Sequence, residues 1–157
     1  MPDFPLHSSP FFDVREFVDR RTWQALGPKA ASMVDVRIVR AADLLRKLAA
    51  VPITVNNWHF RKPGQPLFDS SGFRAIWDVT GGTLSQHRRG CAADFKSAAF
   101  SPAQLRRIIL DNADEFKAAG LTTMEDLEFT RTWLHCDVRT LVDEWADLAE
   151  PFLIVRP

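Results

Sequence analysis

Apolar residues return along this chain in two rhythms, and the rhythm separates helices from strands. Val34, Ile38, Ala41, Leu45 and Leu48 recur at spacings of 4, 3, 4 and 3, with arginine and aspartate between them. That is the period of an amphipathic helix with one buried stripe, and Pro52 ends it. Leu105, Ile108, Ile109, Ala113 and Phe116 repeat the pattern further on. This second stripe opens at Ser101-Pro102-Ala103-Gln104. Serine caps the turn, proline fills its first position and glutamine completes a capping box. Gly120 stops the helix. Asp13 and Glu16 have the same box spacing ahead of Phe17 and Val18, which predicts a helix over roughly 13–26 ending near Gly27-Pro28.

Short apolar runs without helical spacing read as strands. They are Ile53-Thr54-Val55, Cys91 to Phe95, roughly 126–130, roughly 133–138, and Phe152-Leu153-Ile154-Val155. A short helix is expected near 140–149. Residues 1–12 hold three of the ten prolines and read as an extended lead-in. Residues 56–86 follow neither rhythm, being broken by Pro63-Gly64, Pro66, Ser70-Ser71-Gly72 and Gly81-Gly82. Irregular stretches of that length are usually functional or disordered. The strands follow and separate the helices without βαβ alternation, so the fold class is α+β. The expected architecture is a small antiparallel sheet flanked by helices, in one domain spanning 1–157.

Charge narrows the partners. Lys plus Arg number 20 and Asp plus Glu number 20, a balance that argues against a nucleic-acid partner. The balance is uneven along the chain: residues 1–110 hold 16 bases and 9 acids, residues 111–157 hold 4 and 11. In one domain these halves can interleave as complementary faces. No apolar run approaches the roughly 20 residues needed for membrane insertion. The start, Met1-Pro2-Asp3-Phe4-Pro5, lacks the cationic and apolar regions of a signal peptide, so the chain is expected to be cytoplasmic at synthesis. Cys91 and Cys136 are too few for a disulfide scaffold and read as reduced core thiols that do not ligate metal.

Chemistry concentrates in two stretches. In Ser85-Gln86-His87-Arg88-Arg89-Gly90-Cys91-Ala92-Ala93-Asp94-Phe95, an aspartate lies inside an apolar strand. Burying it unpaired costs several kcal/mol, so it needs a cation, a metal or several N–H donors. In Trp133-Leu134-His135-Cys136-Asp137-Val138, His135 and Asp137 share one strand face and Cys136 takes the other. His87, Asp94 and His135 together offer three ligands of the kind that hold hydrolytic zinc with an open fourth position. On spacing alone, a hydrogen-bonded core histidine and a capped aspartate remain the commoner reading. His7 and His59 read as solvent-facing or loop residues, with His59 able to line a cleft.

The run Ser85-x-His87-x-x-Gly90-x-Ala92-x-Asp94 resembles the signature of the zinc D-alanyl-D-alanine carboxypeptidase family. That family includes vancomycin-resistance D,D-dipeptidases, phage L-alanyl-D-glutamate endolysins and the hedgehog signalling domain. The aromatic-x-His-x-Asp strand from Trp133 to Asp137 and the element Ser71-Gly72-Phe73-Arg74 are similar to further family motifs, and Phe12 to Phe17 resembles an N-terminal element of small members. The resemblance implies a hedgehog-like metallopeptidase fold with Zn2+ on His87, Asp94 and His135. It also implies that Arg74 binds substrate or stabilises the oxyanion, with Ser85 beside the substrate. Asp137 is expected to orient a ligand or a neighbouring arginine from behind.

Two family positions for the general base, three and six residues before the last histidine, are Thr132 and Phe129 here, and neither accepts a proton. Carboxypeptidase and hedgehog members also have a histidine where this chain has Trp133. Glu128 is the first choice of base, brought round by a turn or bulge near Arg131-Thr132; Glu125 and Asp126 are further candidates. The implied activity is cleavage of peptidoglycan stem peptides, as a D,D-carboxypeptidase or dipeptidase or an L-Ala-D-Glu endopeptidase, acting on the wall after phage-type release or inside the cell. The alternative is an inactive, metal-stabilised binding or virion structural module of the same fold.

Overall fold

A computed structural model describes residues 1–80, 82–142 and 151–156. Four helices and four strands succeed one another as α1 (Arg20–Leu26), α2 (Val36–Ala49), β1 (Ala92–Phe95), α3 (Pro102–Asp111), α4 (Ala113–Ala119), β2 (Thr123–Glu125), β3 (Leu134–Asp137) and β4 (Leu153–Val155). Short 3-10 turns at Leu6–Ser8, Val14–Glu16, Gly27–Met33 and Gln86–Arg89 join them. The mixed helix-and-sheet class is as expected, but the sheet is not purely antiparallel. Its order is β1-β3-β2-β4, and β4 runs parallel to β2.

The helices form where the pattern places them, with two divisions. The Asp13–Glu16 capping box exists, yet it closes only a single 3-10 turn. Asp19 then accepts from Thr22 N and starts α1 afresh, because Phe17 and Val18 leave the helical path to enter the core. The Ser101–Gln104 box opens α3, and Asn112 divides the expected single helix into α3 and α4. The asparagine side chain bonds back to the Ile108 carbonyl at 2.8 Å, taking an acceptor the helix would otherwise use. In α2 the buried stripe is Ile38, Val39, Ala41, Ala42, Leu45 and Ala49, while Leu48 lies half out of it.

The expected strand at Ile53–Val55 is reduced to one bridge, Thr54 to Lys96. The strand expected at 126–130 lies earlier, at Thr123–Glu125. Asp126 accepts the Glu128 N–H and the Asp126 carbonyl accepts the Phe129 N–H, so the chain turns there. The helix expected near 140–149 lies from residue 143 onward outside the described residues.

The sheet has two unlike faces. Ala93, Phe95, Met124, Leu134 and Cys136 belong to the apolar core, and α2 and α3 pack against the strands. Phe12, Phe17, Phe116 and Phe152 are fully buried in the same core, each contributing on the order of 1.5–3 kcal/mol by removal from water. The alternate strand positions carry Asp94, Thr123, Glu125, His135 and Asp137 on the opposite face. Among the described residues, no helix is long and apolar enough to cross a membrane.

Candidate metal centre

Strand pairing assembles the polar face. Asp94 of β1 lies directly opposite His135 of β3. The β2–β3 register pairs Met124 with Cys136, which sets Glu125 across from His135. One row therefore crosses three strands, Asp94–His135–Glu125, with all three side chains on one face. His87 joins from the 3-10 turn Gln86–Arg89. That turn ends at Gly90, whose φ is +69° and where a Cβ would collide with the Met33 carbonyl.

The irregular segment 56–86 is held by side chains in place of a ladder. Asn56 accepts from Ser71 N and donates to the Val18 carbonyl. Asn57 accepts from Phe68 N and donates to the Pro66 carbonyl. Gly72 packs so tightly on the Phe17 backbone that no Cβ fits. Phe73 N–H donates to Phe17 O at 2.7 Å and Arg74 N–H to His87 O at 3.1 Å. Arg74 is thereby fixed beside the strand face. Its Nε donates to Ser70 O at 2.5 Å, and its Nη2 lies 3.3 Å from Asp94 Oδ2.

Three atoms converge at the centre. His87 Nε2 is 3.2 Å from His135 Nδ1, His135 Nδ1 is 2.9 Å from Asp94 Oδ1, and His87 Nε2 is 3.3 Å from Asp94 Oδ1. For zinc bonds of about 2.0–2.1 Å, ligands at the corners of a tetrahedron are about 3.3–3.4 Å apart. The triangle is therefore the size of a slightly contracted tetrahedral face.

Tautomers sharpen the point. His87 Nδ1 is 2.8 Å from the Gly72 carbonyl, which only accepts, so Nδ1 carries the hydrogen and Nε2 is bare in the neutral ring. His135 Nε2 is 3.3 Å from Asp137 Oδ2 and Nδ1 is 2.9 Å from Asp94 Oδ1, so the protonated ring donates to both carboxylates, and the neutral ring that donates to Asp137 has Nδ1 bare. In those neutral tautomers two nitrogen lone pairs and a carboxylate oxygen face one another, and His87, Asp94 and His135 are all buried. Such a cluster needs a positive charge at its centre, either a proton or a metal ion. This group is able to hold a metal.

Electrostatics agree. Burial opposes ionisation of Asp94, but His87 and His135 outweigh it and hold the carboxyl well below the usual range. Burial likewise opposes charging His135, but its bonds to Asp137 and Asp94 push it up to about 10 in the metal-free chain. The proton thus marks the place of a cation. Asp137, fully buried, is fixed in turn by Arg139, whose Nε and Nη2 reach its two oxygens at 2.8 and 2.5 Å. This is the support a ligating histidine receives from behind.

The centre opens on a cavity of about 390 Å³ lined by Arg74, Ser85, His87, Asp94, His135 and Arg139, with Glu125, Phe129 and Trp133 on its walls. Ser85 and Arg74 therefore both stand at the cavity. Glu128 is exposed beyond the turn and does not line it. Apart from Asp94, Glu125 is the one carboxylate in this wall among the described residues. His59 lines a different cavity with Arg15 and Glu16, and His7 bonds the Val34 carbonyl at 2.7 Å. Cys91 and Cys136 are free thiols. Arg139 escaped the sequence reading although it follows Asp137 at strand spacing, and Lys96 escaped it although it follows Asp94 in the same way. No family model, no curated protein and no solved structure matches this chain.

Proposed function

We propose that the chain is a zinc-dependent peptidase acting on peptidoglycan stem peptides. The observation that carries this reading is the convergence of three lone-pair donors at tetrahedral spacing on the floor of an open cavity. His87 Nε2, Asp94 Oδ1 and His135 Nδ1 are the three zinc ligands, and the choice of zinc rests on this donor set together with the family resemblance. When bound, the metal supplies Lewis-acid polarisation of a carbonyl and acidifies water.

The chain's own groups do the rest. Glu125, across the strand from His135 and facing the cavity, accepts the proton of the attacking water on Oε. It then returns that proton to the leaving amine. The Arg74 guanidinium stabilises the negative charge that develops on the carbonyl oxygen. Asp137 and Arg139 fix the His135 ring so that Nδ1 keeps its lone pair toward the centre. Trp133 and Phe129 supply apolar wall to the same cavity.

The test is cleavage of two stem peptides, one ending in D-Ala-D-Ala and one containing L-Ala-D-Glu, followed by mass spectrometry. The zinc-loaded chain is expected to cut one amide bond, a chelator to stop it and zinc to restore it. Glu125→Gln should keep zinc and slow turnover by roughly 10²–10⁴-fold, with Glu128→Gln close to the parent rate. Full turnover in Glu125→Gln would move the base elsewhere. Zinc bound at stoichiometry with neither peptide cut would favour the metal-stabilised binding module.

A further inference from the structure

The loop between Arg74 and Ser85 carries apolar side chains that the core does not use. Ile76, Val79 and Leu84 are 90%, 92% and 79% exposed, and Trp77 is 40% exposed. Single exposed apolar side chains are ordinary, but a cluster of them marks a contact surface. One guanidinium gathers this loop. Arg88 Nη1 donates to Ala75 O at 3.3 Å, Nη2 to Asp78 O at 2.6 Å and Nε to Gly82 O at 3.4 Å. Three carbonyls bound to one planar fork are necessarily close together, so Ile76, Trp77 and Val79 project from a single knuckle. Asp78 N–H donates to Ala75 O and Ser85 N–H to Gly82 O, closing a turn at each end. Polar bonds thus shape the loop, and Ile76 and Val79 stand in water without serving the fold.

Positive charge accompanies the knuckle. The Arg21 guanidinium lies 4.6 Å from the centre of the Trp77 ring, and Arg21 is itself exposed. From 74 to 90 the chain holds Arg74, Arg88 and Arg89 against one acid, Asp78. That acid is turned back on its own loop, where its Oδ1 accepts Thr80 N–H at 2.7 Å. The loop belongs to residues 1–110, in which bases outnumber acids 16 to 9.

We infer that this loop is a peripheral docking surface for a bilayer with anionic phospholipid headgroups. Ile76, Trp77 and Val79 enter the headgroup boundary and Arg21 meets the phosphates beside them. Aliphatic side chains, tryptophan and arginine together are what a membrane interface accepts, and the negative surface of a cytoplasmic leaflet attracts basic segments. A second copy of this chain is the poorer occupant, because a two-fold contact sets each cationic patch against its own copy. Thr80, Gly82 and Leu84 line the metal cavity, whereas Ile76 and Val79 do not. Docking through the knuckle therefore leaves the cavity free and brings its rim to the level of the headgroups. It needs no peptidase activity and is read by binding alone.

The experiment is co-sedimentation of the full chain with vesicles of phosphatidylcholine alone and of an equal mixture with phosphatidylglycerol. The parent should bind the anionic vesicles about tenfold or more tightly than the neutral ones. Salt should weaken that preference, since the Debye length falls from about 10 Å at 0.1 M to about 3 Å at 1 M. Ile76→Ser/Val79→Ser should weaken anionic-vesicle binding by about tenfold or more, with circular dichroism and zinc content unchanged. If the pair does not fold, the two single variants serve in its place with a smaller loss each. Arg21→Gln should weaken binding by about fivefold. Leu48→Ser, which removes a half-exposed leucine from α2, should bind as the parent does. Equal binding of the parent to both vesicle types, or none to either, overturns the docking surface. So does undiminished binding in Ile76→Ser/Val79→Ser. A parent dimer that this double variant abolishes, without vesicle binding, gives the loop to a second copy and also overturns it.

Discussion

Asp137→Asn separates the support of the metal centre from its ligands. Asp137 is fully buried, accepts from His135 Nε2 at 3.3 Å and holds the Arg139 fork with both oxygens. Asparagine keeps the shape and one acceptor oxygen but exchanges the other oxygen for a donor and removes the charge. If the oxygen stays with Arg139, the new NH2 faces His135 Nε2. That nitrogen must then become the acceptor, and the ring hydrogen moves to Nδ1, the atom that faces His87 and Asp94. The ring would have to return to the disfavoured tautomer before it could ligate. Loss of such a partner typically costs 10–100-fold in metal affinity, about 1.4–2.7 kcal/mol. Weakening the charged bond to Arg139 costs the fold about 1–3 kcal/mol more. Competition against a chromophoric chelator reads the first effect, and thermal unfolding of the metal-free chain reads the second. A folded Asp137→Asn protein with parental zinc affinity would refute the tautomer argument.

Two further outcomes follow from the buried charges. In the metal-free fold His135 holds a proton up to about pH 10, against about 6.5 when unfolded, so zinc must displace that proton at neutral pH. Zinc affinity should rise about tenfold per pH unit from roughly pH 6.5 to 9, while the stability of the metal-free fold declines over the same range because the folded state binds more protons; a flat affinity profile contradicts this. Glu16 is buried, and burial pushes its carboxyl up to about 7 despite the bond from Asp13 N–H. Its contribution is fully present below its unfolded pKa and lost as pH rises through 7, so Glu16→Gln should be more stable than the parent at pH 8 by about 2 kcal/mol and show little difference at pH 4; equal unfolding midpoints at pH 8 contradict it.

Local signals carried much of this architecture. The stripe Ile38, Ala41, Leu45 and the two capping boxes involve residues within a few positions of one another, and all three formed, although the Asp13–Glu16 box closes a 3-10 turn and not the expected helix. The convergence of His87, Asp94 and His135 was equally legible, because they stand in two short motifs that need only one strand pairing to meet. Long-range choices were less visible. Whether Phe17 and Val18 continue a helix or turn into the core depends on distant partners, since the Phe17 carbonyl receives Phe73 N–H and the Val18 carbonyl receives Asn56 and Trp58. The parallel partnership of β4 with β2 depends on a path that no local pattern encodes.

The placement of the acids turned on one short turn. Asp126 accepts the Glu128 N–H and ends β2 at Glu125, so Glu125 holds the strand register with His135 and Glu128 is carried to the outside. An aspartate two residues ahead of the amide it caps is a readable turn signal, and weighing it would have moved the strand earlier.

Metal content tests the centre most directly. The chain purified without added metal, then exchanged against one equivalent of zinc and freed of excess, should retain about one zinc per chain by elemental analysis. The His87→Ala/His135→Ala double variant, folded by circular dichroism, should retain almost none. Stoichiometric zinc in that double variant, or none in the parent, would contradict the assignment of His87, Asp94 and His135 as a metal centre.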